Sequence, residues 1–169
     1  MKKSLLALTV CTLSLITLAE SAIAAEGRIR ARGQNGVAAA GSNDGNAYVR
    51  ARGARTNADG STTAASGGAF RTDDGAAGAR KSATTVNPDG SATHSGKFGV
   101  TGDRGTATSD GGFTRTADGT VSGSRATDVT NAQTGNSYSG TTSYDSTTGV
   151  TRSATCRDAS GATIACPTR

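Results

Sequence analysis

Five arginines close to the start of the chain, Arg28, Arg30, Arg32, Arg50 and Arg52, have the clearest chemistry to offer. Four of them belong to two copies of one short motif, Ile29-Arg30-Ala31-Arg32-Gly33 and Val49-Arg50-Ala51-Arg52-Gly53. A guanidinium stays charged at any physiological pH and presents a planar fork of donors that fits phosphate, sulfate or carboxylate. Binding a polyanion with such groups releases counterions, so affinity would fall steeply as salt rises. Residues two apart on an extended strand share a face, which sends Arg28, Arg30 and Arg32 one way and Ile29 and Ala31 the other. Tyr48 is the one aromatic ring nearby for stacking, and a solvated basic tail is the plainer reading of the same arginines.

The remaining candidates for chemistry are few. His94 is the single histidine and stands between Thr93 and Ser95, polar neighbours that predict a solvated ring. The aspartates fall mostly in turns, and no Asp-x-Asp-x-Asp-Gly calcium loop occurs. Gly90 to Lys97 has the wrong glycine spacing for a phosphate-binding loop, and Phe98 stands where that loop needs a hydroxyl. With no nucleophile and base, paired carboxylates or metal ligands in view, the sequence predicts neither an enzyme nor a bound cofactor or metal.

Cys156 and Cys166 flank Asp158-Ala159-Ser160-Gly161, a turn of the bulged kind. Equal parity puts the two cysteines on one face of a hairpin, opposite or diagonal to one another, where a disulfide is within reach. Closing a loop of this length stabilises by about 3 kcal/mol through loop-closure entropy. Two free thiols, or pairing between molecules, are the alternatives.

The elements that must position these groups are announced by turns. Asn87-Pro88-Asp89-Gly90-Ser91 reads as a type I turn closed by a G1 bulge: proline presets the first corner, Asn87 offers a side-chain cap, and Gly90 supplies the left-handed residue. Glycine follows a turn-forming residue at Gly45, Gly60, Gly75, Gly90 and Gly105, fifteen apart each time, then drifts to Gly119, Gly135, Gly149 and Gly161. Between turns the chain is rich in small and β-branched residues, with no helical period. Interior glycines at Gly67-Gly68, Gly96, Gly111-Gly112, Gly123 and Gly140 either bend one long strand or divide a unit into two short ones. The stretch from Gln34 to Asn46 reads as a loop or a weak strand.

Three segments follow. Residues 1–25, with Lys2 and Lys3 before an apolar run and Ala22-Ile23-Ala24-Ala25 after it, have the pattern of a signal peptide that takes Cys11 away on cleavage. Residues 26–47 form a basic, Gly/Ala-rich N-terminal segment, and residues 48–169 a β-repeat region ending in the Cys156/Cys166 hairpin. The chain after the signal has no leucine and no second apolar run long enough to span a bilayer.

The fold expected is all-β, an antiparallel hairpin or meander repeat of about fifteen residues with a small or single-layer core. So few large apolar side chains also fit a substantially disordered chain. The leading functional expectation is an exported bacterial repeat protein of periplasm, cell surface or exterior, structural, adhesive or assembly-related, self-associating through strand edges. The alternative is a polyanion-binding module for extracellular nucleic acid, lipopolysaccharide or acidic polysaccharide.

Overall fold

The computed structural model describes residues 27–167; the signal peptide predicted for 1–25, with Cys11, lies outside them. The described chain is a run of antiparallel strands without a helix: β1 (Gly27–Gly33), β2 (Gly36–Asn43), β3 (Asn46–Thr56), β4 (Thr62–Arg71), β5 (Ala77–Val86), β6 (Ala92–Gly102), β7 (Gly105–Arg115), β8 (Val121–Asn131), β9 (Ser137–Asp145), β10 (Gly149–Arg157) and β11 (Thr163–Ile164). They form one 11-stranded sheet in sequence order, an open meander in which each interior strand pairs with the strand before and the strand after it.

Turn chemistry drives this order. In the turn after β5, Gly90 N–H donates to Asn87 C=O at 3.0 Å and Asn87 N–H donates to Ser91 C=O at 2.9 Å. Gly90 takes φ 83°, the left-handed conformation the bulge requires. The cap comes from Asp89, whose carboxylate accepts Ser91 N–H at 2.9 Å and Ser91 O–H at 2.7 Å. Asn87 instead donates its side-chain amide to Ser91 Oγ. Asn57-Ala58-Asp59-Gly60-Ser61 repeats the arrangement bond for bond.

One period of about fifteen residues therefore holds one strand and one turn, and successive turns alternate between the two ends of the sheet. Interior glycines do not divide these units: Gly67, Gly68, Gly96, Gly111, Gly112, Gly123 and Gly140 all lie inside continuous strands. Gly105 keeps the spacing but starts β7 after the two-residue turn Asp103-Arg104, and Gly45 lies within the two-residue turn Asp44-Gly45, so both stand outside the bulged turns. Residues 34–46 contribute β2, and the 47/48 boundary falls within β3, so the basic segment continues into the same sheet.

A single layer has almost no interior. Ala39, Ala92 and Cys156 are the buried apolar side chains among the described residues, and Ser61 the buried polar one. Stability rests instead on the backbone ladder and on cross-strand side-chain pairs. At the C-terminus, Cys156 faces Ile164, and the disulfide to Cys166 runs diagonally across a Cα–Cα distance of 5.2 Å. That bond fastens two-residue β11 over the edge of β10, whereas all seven residues of β1 are exposed.

Candidate functional site

Register decides which side chains share a face. Arg30 stands opposite Ala39, Ala39 opposite Arg50, Arg50 opposite Gly68 and Gly68 opposite Arg80. One step along the strands, Arg32, Val37, Arg52, Ser66 and Ser82 form a parallel row. On the other side, Arg28, Gly41, Tyr48, Phe70 and Gly78 form a third. The pleat sends alternate residues to opposite faces, so all five arginines singled out by their spacing lie together, with Ile29 on the far face.

The pairing brings in arginines that sequence reading passed over. Arg80 joins the row of Arg30 and Arg50, while its neighbour Lys81 faces away opposite Lys97. Arg115, Arg125 and Arg152 also reach the first face farther along the sheet. Among the described strand residues, this face carries nine arginines and no aspartate, glutamate or lysine. The opposite face mixes Lys81, Lys97, Arg55 and Arg71 with Asp110 and Asp128 among threonines, serines and alanines. The signal for Arg80 was its distance from Arg50: thirty residues, two turn periods.

The same face holds the rings. Tyr48, Phe70, Phe98, Phe113, Tyr138 and Tyr144 all point to it, each between 36% and 46% exposed. Several lie against glycines: a Cβ added at Gly41 would come 2.8 Å from the Tyr48 ring, and one at Gly78 2.5 Å from Phe70. Gly41 and Gly78 thus act as seats for cross-strand aromatics, a pairing that offsets the intrinsic weakness of glycine in strands. His94 belongs to this stripe. Its ring stacks on Phe113 with centroids 5.3 Å apart and its Nδ1 shares a hydrogen bond with Thr84 Oγ1 at 2.8 Å, so it is half-buried rather than solvated.

Between the arginine rows runs a groove of about 230 Å³, bordered by Arg30, Val37, Ala39, Arg50, Arg52 and Arg80. A smaller, apolar groove of about 160 Å³ adjoins it, between Tyr48, Phe70, Arg80 and Phe98. The Arg50 guanidinium carbon lies 5.9 Å from the centre of the Tyr48 ring, within cation–π reach.

Negative charge is kept to the opposite face, at Asp110 and Asp128, and to the rims. Asp59, Asp89 and Asp158 are held below the ordinary carboxylate range first by the hydroxyls of Ser61, Ser91 and Ser160, and Asp74 and Asp118 by those of Thr72 and Thr116. Asp145 is lowered first by the backbone N–H groups of Thr147 and Thr148. These carboxylates shape the turns at the two ends of the sheet and leave the arginine rows unopposed. Unopposed cations about a Debye length apart sum to a positive potential over the face, suited to holding an extended anion.

No protein-family model matches the chain, and neither the curated proteins nor the solved structures contain a match to it.

Proposed function

We propose that this chain is an exported protein that binds polyanions across the arginine-bearing face of its sheet, in the periplasm, at the cell surface or outside the cell. The observation that carries the reading is the one-sided charge: nine arginines share a face that has no carboxylate among the described strand residues. The Cys156–Cys166 disulfide is compatible with export. No helix among the described residues is long and apolar enough to cross a membrane.

Assembly through strand edges is the second reading, favoured by the open edge of β1. At the other edge of the sheet β11 pairs with Cys156 and Arg157 of β10 and leaves the rest of that strand's edge open. One feature weighs against assembly at β1: antiparallel pairing of two β1 edges would bring Arg28, Arg30 and Arg32 of both copies onto one face as like-charge neighbours. Charge on an exposed edge strand discourages that kind of pairing.

Replacing Arg28, Arg30, Arg32, Arg50 and Arg52 by glutamine tests the ranking. Affinity for a polyanion such as heparin should drop, and the slope of log K against log salt should flatten by roughly 0.7–0.9 for each guanidinium that had neutralised an anionic group. The β-type circular dichroism spectrum should stay unchanged. A purified chain that binds no polyanion at low salt but self-associates equally with and without the five arginines would reverse the ranking.

A further inference from the structure

The arginine rows are spaced, and the spacing narrows the ligand. In the row Arg30, Ala39, Arg50, Gly68, Arg80 the charges stand on β1, β3 and β5, with small residues on the strands between. Adjacent strands are about 4.8 Å apart, so neighbouring guanidinium stems in a row are separated by about 9.6 Å. The row beside it repeats the spacing with Arg32 and Arg52.

We propose that the ligand is an unbranched acidic polysaccharide bearing one charge on alternate sugars, lying across the strands from β1 to β5; this rests on the polyanion reading above. A pyranose ring advances its chain by about one strand spacing. Sugars carrying carboxylate or sulfate then meet Arg30, Arg50 and Arg80 in turn, and the uncharged sugars between them settle over Ala39 and Gly68. Carboxylate and sulfate both accept the guanidinium fork bidentately. A nucleic acid strand has a different pattern. Every nucleotide carries a phosphate, so no uncharged unit falls over Ala39 and Gly68 between the arginines.

The flanking rows supply what an uncharged sugar needs. Tyr48 and Phe70, seated against Gly41 and Gly78, give apolar surface to the C–H faces of the rings. On the other flank, the hydroxyls of Ser66 and Ser82, 3.0 Å apart, offer donors and acceptors for sugar hydroxyls.

The test uses the purified chain and three probes titrated at physiological ionic strength: hyaluronan oligosaccharides with a carboxylate on alternate sugars, oligogalacturonate with one on every sugar, and single-stranded oligo-dT. Hyaluronan should bind tightest per charge. Arg80→Gln should weaken it about tenfold, a change in the range of one charge-assisted hydrogen bond. Lys81→Gln, a neighbour on the opposite face, should leave it unchanged. Phe70→Ala should weaken hyaluronan several-fold without altering the salt slope, circular dichroism confirming the fold. Tighter binding per charge to oligo-dT or oligogalacturonate, or equal weakening in Arg80→Gln and Lys81→Gln, would overturn the glycan proposal while leaving polyanion binding in place. Failure to bind all three probes, and heparin, at low salt would overturn both.

Discussion

Asp89 shows how single side chains set this fold. Its carboxylate accepts both the N–H and the O–H of Ser91, and Asp59 does the same for Ser61 on a neighbouring hairpin. These bonds favour the ionised form, so the folded pKa lies below that of the unfolded chain. A group of this sign adds stability above its unfolded pKa and loses it as pH falls through the folded value. Six turn aspartates share the direction, so the urea midpoint should hold near neutrality and fall as pH drops below about 4. Replacing Asp59 and Asp89 by alanine should lower stability at pH 7 and flatten the acid dependence; a midpoint that rises on acidification would contradict the sign. The turns themselves were legible because their causes are local: Asn-x-Asp-Gly-Ser fixes the backbone within five residues. Which side chain caps them was not, since Asn87 and Asp89 can both reach a backbone group and only the folded turn places Asp89 under Ser91 N–H.

At the scale of elements, the C-terminal hairpin is where a covalent bond replaces pairing. β11 has two residues, Thr163 and Ile164, too few to stay on the edge of β10 by ladder bonds alone. Changing Cys156 and Cys166 to serine should cost about 3 kcal/mol, and residues 158–167 should become the first site of proteolysis. The bonded form should weigh two mass units less than its reduced counterpart, and two alkylatable thiols in the native chain would refute the bond. The cysteine pairing was readable from parity, although parity left opposite and diagonal placement open. Strand length was harder to read, because an interior glycine looks like a break until register places Tyr48 against Gly41 or Phe70 against Gly78. Arg80 stayed hidden for the same reason. Its tie to Arg50 passes through two turns and the partner strand β4, and only the completed ladder puts the two in one row.

For the molecule as a whole, the absence of a second layer governs how stability is shared. Each strand packs against its sequence neighbours, as in a quasi-one-dimensional repeat, where stability is a sum of unit and neighbour-interface terms. Interior strands have two such interfaces and β1 has one. Opening should therefore begin at the β1 edge and travel inward, while the disulfide holds the other end. Native-state hydrogen exchange should show protection rising from β1 through β3, highest across β5 to β7, and declining toward β10, with the Cys156 end of β10 losing protection further on reduction. Unfolding should also carry a heat-capacity change below the usual 12–15 cal/mol/K per residue, because Ala39, Ala92 and Cys156 are the only apolar side chains buried among the described residues. Uniform protection from β1 to β10 with an ordinary heat-capacity change would instead mean that the sheet unfolds as one cooperative body, with a second packed layer formed by association. A polyanion lying across β1 to β5 should act on the same gradient. It ties the weakest interface to stronger ones, so slower exchange in β1 and β2 on ligand addition, with β9 and β10 unchanged, would locate the bound chain and the frayed edge in one experiment.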